Sequence, residues 1–286
     1  MKFAVVGGDR RLELLSVMLH RDGHRVYTYA LEKAELPSEI PKAGCLQGCV
    51  YGADCVILPT PAEKGGLLNA PLSDAELKMK DVIEALWPGQ LLCGGRFSDE
   101  SCAAALRAKL RPGDLMCMPF FTAGNAALTA EGAVLRLLES SDKALLSSSV
   151  LILGWGRIGK ILAMRLRALG ACVSVAARSA PDRAMAEALG FDVLEYSELE
   201  AELCRFDFIV NTVPARVLTD PMLCMAAEDT LLLELASPPG GFDAQLAENI
   251  GLRVIKAPGL PGKCSPLSAA AIMKDAVYRF ISEQEE

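Results

Sequence analysis

Gly154, Gly156 and Gly159, spaced as Gly-x-Gly-x-x-Gly by Trp155, Arg157 and Ile158, are the residues whose types and spacing point most directly to chemistry. They suit a cradle for a diphosphate. The first glycine permits a tight turn, the second lets a pyrophosphate approach the backbone, and the third lets a helix pack on a strand, with phosphate at the helix N-terminus. Further along, Arg178 and Ser179 occupy the point where an NAD-binding unit usually carries Asp or Glu to hold the ribose hydroxyls. A guanidinium beside a hydroxyl suits a 2′-phosphate, which a carboxylate would repel, so the expected cofactor is NADP rather than NAD.

The flanking pattern supplies the elements that must position these groups. Val150 to Leu153 is a short apolar run suited to a strand buried on both faces. Ile158, Ile161, Leu162, Leu166 and Leu169 recur at helical spacing up to Gly170, and Ala171 to Ala177 reads as the second strand. Three later strands, Phe206–Val210, Thr230–Leu235 and Leu252–Ile255, deliver loops at 211–214, 236–241 and 257–263. These leave the same sheet edge as the glycine turn, so Asn211, Thr212, Val213, Pro214, Ala236, Ser237, Pro258 and Gly259 are expected to border the nicotinamide and its ribose.

The first half repeats the alternation of strand and helix without the full glycine fingerprint. Strands are expected at Lys2–Val6, Arg25–Ala30, Ala53–Leu58, Leu91–Cys93 and Leu115–Met118. Ser73-x-x-Glu76 reads as a capping box opening a helix that runs to Leu86. Arg10, Arg11 and Arg96 follow glycine turns at strand ends and could hold anionic groups, with Thr60 and Ser98 as hydroxyl donors. The fold class is therefore α/β, with two doubly wound, parallel-sheet, Rossmann-like domains. The first spans 1–121 as a substrate domain. The second spans 122–286 as the NADP-binding domain, entered through a crossing helix at Thr122–Glu139 and closed by a helix at Ser268–Ser282, with substrate in the cleft between the two.

Composition narrows the function. The chain has 286 residues, of which 51% are hydrophobic, enough for two cores, and a net charge of −7 with no basic run argues against nucleic-acid or anionic-membrane partners. Met-Lys-Phe-Ala-Val-Val-Gly-Gly enters a strand at once, leaving no room for a signal peptide, and no apolar run is long enough to span a bilayer. A soluble, cytoplasmic protein is expected. The ten cysteines include no Cys-x-x-Cys, and Cys45 and Cys49, the one near pair, have no close histidine, so reduced thiols and no metal are expected.

Only two histidines exist, His20 and His24, flanking the end of the first helix. This removes the general acid or base on which 2-hydroxy-acid dehydrogenases of this layout generally rely. Proton transfer falls to Lys, Asp, Glu, Tyr, Cys, a hydroxyl or water. Lys263, leaving a glycine-rich loop just before a helix, is the best placed, either as a base or as a carboxylate ligand.

In this order and spacing, the fragments Val-Val-Gly-Gly-Asp-Arg (5–10), Ile-Leu-Pro (57–59), Leu-Gly-Trp-Gly-Arg-Ile-Gly (153–159), Ala-Ala-Arg-Ser (176–179), Asn-Thr-Val-Pro (211–214), Leu-Ala-Ser-Pro-Pro-Gly-Gly (235–241) and Ala-Pro-Gly-Leu-Pro-Gly (257–262) resemble the family of bacterial dipicolinate synthase A subunits over nearly the whole chain. Residues 263–268 depart from the family pattern. The resemblance implies oxidation of a dihydrodipicolinate-type precursor, formed by loss of water from a 4-hydroxy compound, to pyridine-2,6-dicarboxylate. It also implies a partner, a flavoprotein-like B subunit, and the mother cell of a spore-forming bacterium as setting. The catalytic candidates are Lys263, Arg96, Arg10 and Thr60. Alternatives are an NADP-dependent reductase or dehydrogenase of another small carboxylic acid and a non-catalytic nucleotide-binding protein; a homo-oligomer is compatible with either.

Overall fold

The structure, a computed structural model, describes residues 1–285. In chain order it opens with β1 (Lys2–Val6), α1 (Arg10–Arg21), β2 (Arg25–Tyr29), α2 (Leu46–Val50) and β3 (Cys55–Ile57). A hairpin of β4 (Glu63–Lys64) and β5 (Leu67–Leu68) follows, then α3 (Met79–Glu84), β6 (Leu91–Gly94), α4 (Asp99–Arg107) and β7 (Arg111–Asp114). The long α5 (Pro119–Glu139) leads to β8 (Ser149–Leu153), α6 (Arg157–Ala168), β9 (Cys172–Ala176), α7 (Ala180–Ala188) and β10 (Asp192–Leu194). Next come α8 (Leu199–Glu202), β11 (Phe208–Asn211), α9 (Asp220–Leu223), β12 (Leu231–Glu234), α10 (Ala244–Asn249) and β13 (Arg253–Lys256). The chain ends with α11 (Leu260–Cys264) and α12 (Pro266–Glu285).

Two compact units result, Met1–Asn125 with Pro261–Glu286, and Ala126–Leu260. In the first, the strands pair in parallel in the order β2-β1-β3-β6-β7. Alternate residues of a strand point to opposite faces, and here both faces are covered, which is why the runs are continuously apolar. Phe3, Val5, Cys55, Ile57, Leu91 and Cys93 pack with Leu12, Leu15 and Leu19 of α1 and with Ala270, Met273 and Val277 of α12. Ala4, Val6, Val56, Leu58 and Leu92 pack with residues of α2, α3 and α4.

The last helix thus corrects the expected division of the chain. Expected with the nucleotide-binding half, α12 instead completes one face of the first sheet, so closely that a Cβ on Gly113 of β7 would collide with the ring of Phe280. Leu115–Met118 is also not a strand. The edge strand lies just before it, and Leu115–Cys117 forms a 3-10 turn because the Asp114 carboxylate accepts from Met116 N at 2.8 Å. The helix expected from Ser73 to Leu86 shrinks to α3, since the Ser73 hydroxyl accepts from Ala75 N in a local turn and Lys78, bridged to Leu67 of β5, is extended immediately before it.

In the second unit the strands are all parallel, ordered β10-β9-β8-β11-β12-β13. This is the doubly wound arrangement in which order reverses between β8 and β11, the place where such sheets bind ligands. Leu151, Leu153, Ile209 and Leu232 pack with Leu199, Leu223 and Ala247 from α8, α9 and α10. Arg165 of α6 ties that helix to α5 by reaching the Ala127 carbonyl and, at 2.9 Å, Glu131. Among the described residues no helix is long and apolar enough to cross a membrane, and no group of three or more His, Cys, Asp or Glu is arranged to hold a metal ion.

A polar cluster fastens α12. Tyr278 Oη and Lys274 Nζ each donate to Asp22 Oδ2 at 2.7 Å, and His24 Nε2 lies 3.1 Å from Tyr278 Oη. The N-terminal ammonium lies 3.5 Å from His24 Nδ1. With Tyr278 donating to Asp22, the network assigns His24 the neutral tautomer with its proton on Nε2. Burial, then the N-terminal charge, holds the His24 pKa below its ordinary 6.5 against the pull of Asp22. The unfolded chain therefore takes up the proton first, and the contribution of neutral His24 is whole above pH 6.5 and lost as pH falls. Thermal unfolding from about pH 7.5 to about pH 5 should show a falling midpoint that His24→Gln flattens; parallel curves would assign the dependence to another group.

Candidate functional site

The C-terminal ends of β8, β9, β11 and β12 are brought to one edge in register, with Leu153 beside Ala176 and Asn211, and Asn211 beside Glu234. Gly154 turns the chain there with φ +100°, and a Cβ on it would sit 2.7 Å from both Thr212 Oγ1 and Val213 Cγ2. A Cβ on Gly159 would fall on the carbonyl oxygen of Gly154. Gly156 is different, since nothing lies within 4 Å of where its Cβ would be. It caps the twelve-residue α6 without any side-chain hydrogen bond, leaving the first N–H groups of that helix to an external acceptor. Two glycines are thus fixed by the protein's own backbone and loops, and one faces open space.

Arg157 is exposed and Ile158 half-buried, whereas Trp155 is 4% exposed. Its indole packs edge-on against Phe191 at 5.5 Å between centroids, and among the described residues its Nε1–H has no acceptor. Beyond β9, Arg178 is exposed, and no ion pair of its guanidinium is found among the described residues. Ser179 is the N-cap of α7 but makes no capping bond, so its hydroxyl is also uncommitted at that helix start. Arg183 escaped the sequence reading. Its Nη1 donates to the carbonyls of Ala177 and Arg178 at 3.0 and 2.9 Å and its Nη2 pairs with Glu195, which fixes the turn carrying Arg178. An arginine in the first turn of the helix after the second strand was the available signal. Tyr196 lies nearby; burial pushes its hydroxyl pKa up and the Arg178 charge draws it partly back.

The loops after β11 and β12 are laced together by a second residue absent from the sequence reading, Glu234. Its Oε1 accepts from Asn211 Nδ2 at 2.7 Å and Ala236 N at 2.8 Å, and its Oε2 accepts from Gly241 N at 2.8 Å. Asn211, fully buried, also donates to Val213 O at 2.9 Å and accepts from Val213 N at 3.1 Å. Thr212 N and Oγ1 both donate to Leu153 O, at 3.0 and 2.8 Å. Pro214, Pro258 and Gly259 are exposed, while Ala236 is half-buried and Ser237 exposed and engaged. The expected loop at 257–263 divides: a turn at 257–259 follows β13, and α11 carries Lys263 into the first unit.

In the first unit the edge residues are largely committed. Arg10, exposed, pairs with buried Glu13. Arg11, 8% exposed, grips Asp9 through Nε and Nη2 at 2.9 Å and donates to Thr60 O at 2.7 Å, while the Thr60 hydroxyl is buried without a partner among the described residues. Gly262 of α11 packs on this pair, and Lys263 next to it is exposed. Ser98 caps α4 and donates to Glu63 Oε1 at 2.9 Å. Burial raises the Glu63 pKa, but the hydrogen bonds from Ser101 and Ser98 outweigh it and hold the carboxyl below its usual range. Arg96 is exposed at φ +58°, an unfavourable backbone for a side chain with a Cβ, and Asp114 sustains it by accepting from Arg96 N at 3.0 Å and Phe97 N at 3.2 Å.

Comparison with known proteins finds matches in both halves of the chain. Residues 2–116 match the family described as the N-terminal domain of the dipicolinate synthase A subunit, and residues 125–228 match the NAD-binding domain of D-isomer specific 2-hydroxyacid dehydrogenases. The chain is 29% identical to the dipicolinate synthase A subunit of Bacillus subtilis (strain 168), covering 99% of this chain and 96% of that one. The crystal structure of the Bacillus subtilis protein superposes with a TM-score of 0.86 at 28% identity, over 100% of this chain and 98% of that one. Its counterpart from Bacillus halodurans gives 0.86 at 25% identity, over 97% and 96%.

Proposed function

From the premise that the chain resembles the A subunit of dipicolinate synthase along its whole length, we propose that it is an oxidoreductase forming pyridine-2,6-dicarboxylate from a dihydrodipicolinate-type precursor with NADP. The observation that carries the reading is the glycine turn: Gly154 and Gly159 have no room for a Cβ, Gly156 opens onto space, and the start of α6 behind it is uncapped. Bound there, the cofactor would supply the hydride acceptor. Gly156 and the first turn of α6 would hold its pyrophosphate, and Arg178, Ser179 and the first turn of α7 its 2′-phosphate. The loops at 212–214 and 236–241 would orient its ring. When the precursor gives up one hydride and one proton its ring becomes aromatic, so the protein's main task is alignment. Arg96 is our candidate for a substrate carboxylate and Lys263 for a second carboxylate or the departing proton. The relative is one lettered component of its synthase, which supports a B subunit here too, and the proposed setting is the cytoplasm of a sporulating mother cell.

The chain supplied with NADP and a dihydrodipicolinate precursor generated in place, with and without the candidate partner, should form NADPH and the pyridine product together. Turnover of 2-oxo or 2-imino acids alone would favour a different dehydrogenase of small acids. Binding of NADP with no turnover under any condition would leave a non-catalytic nucleotide-binding protein, the reading favoured by the ion pairs that occupy Arg10 and Arg11 and by the buried Thr60 hydroxyl.

A further inference from the structure

We propose that Glu234, acting through Asn211, is a positioning residue that fixes the two loops lining the nicotinamide end of the site as rigid walls; this rests on the nicotinamide reading above. Most of the backbone donors of these loops are spent inside the protein. Val213 N goes to Asn211, Ala236 N and Gly241 N go to Glu234, Thr212 N goes to Leu153 O, and Leu235 N goes to Asn211 O. Pro214, Pro238 and Pro239 have no N–H to offer. The loops therefore act chiefly by shape, with few donors left to offer the cofactor. What sets that shape is one buried carboxylate accepting three hydrogen bonds from the two loops, which are drawn in so tightly that a Cβ on Gly241 would overlap the Asn211 amide. A carboxylate can accept from all three donors, whereas an amide in its place turns an N–H₂ group toward at least one N–H. The adenosine phosphates would be held elsewhere, by 154–159 and 178–179, so loosening the lock should harm ring alignment and leave most of the binding.

The test uses the full chain. In Glu234→Gln, hydrogen–deuterium exchange of the free protein should be at least about tenfold faster in peptides from 211–217 and 235–242 and unchanged in 150–168. The Kd for NADP should stay within about threefold of wild type, while kcat for NADPH formation falls at least about tenfold. Gly241→Ala strains the same lock without removing a polar partner, and should give the same pattern if Glu234→Gln fails to fold. The proposal is overturned by unchanged exchange in the two loops, by equal acceleration through 150–168, or by a loss of NADP affinity as large as the loss of kcat. Wild-type chain that neither binds NADP nor makes NADPH would sink the functional reading instead, and the exchange data would still decide whether the lock exists.

Discussion

Replacing Arg178 with Asp should weaken NADP by about a hundredfold and leave NAD within about threefold of wild type. The guanidinium is exposed, unpaired among the described residues, and carried on a turn whose carbonyls Arg183 holds from below. A charge-assisted contact to a phosphate contributes about 1.5–3 kcal/mol, and a carboxylate there adds repulsion against the 2′-phosphate. NAD, with hydroxyls in place of that phosphate, has no such contact to lose. Trp155 gives the readout: after Trp87→Phe it is the sole indole, and it sits within the glycine turn. Quenching of its fluorescence by each cofactor reports the two affinities. Equal losses for NADP and NAD would remove Arg178 from 2′-phosphate recognition.

Two neighbouring glycines should fail in opposite ways. Gly159→Ala sets a methyl against the Gly154 carbonyl, which is backbone and has no flexible end to yield, so it should cost about 3 kcal/mol of stability and lower the melting temperature of its unit by roughly 6–12 °C. Gly156→Ala meets no atom within 4 Å and has φ −80°, which alanine adopts freely, so stability should change by less than about 1 kcal/mol. Its methyl would nonetheless stand in the open space before α6, and NADP affinity should drop at least about tenfold. Calorimetry and the Trp155 titration separate the two outcomes. A Gly156→Ala protein that binds NADP like wild type would show that the turn is not where phosphate lies.

What could be read in advance followed from local rules. Continuous apolar runs such as Val150–Leu153 mark strands covered on both faces, and glycine spacing marks a turn whose geometry depends on neighbours only a few residues away. Features set by distant partners were not legible. A local capture can also override composition: Leu115–Met118 has strand composition, yet Asp114, two residues before Met116, accepts its N–H and the chain turns. Glu234 looks like a strand-end acid of no distinction until Asn211 and Gly241, far apart in sequence, converge on it. The arginines at 10 and 11 promised free cations, but the partners that occupy them, Glu13 and Asp9, are themselves only two or three residues away and could have been weighed.

The return of α12 to the first sheet gives the chain an order of assembly. A ribosome makes Met1–Asn125 well before residues 261–285, so the first unit emerges with one face of its sheet covered by α1 alone. The second unit, continuous from Ala126 to Leu260, has every strand it needs while the last helix is still being made. Synthesis from the N-terminus ordinarily favours the first domain to emerge. Here that precedence is lost: the first unit cannot be completed until residues from Pro261 onward have been made, after the whole of the unit that carries the glycine turn.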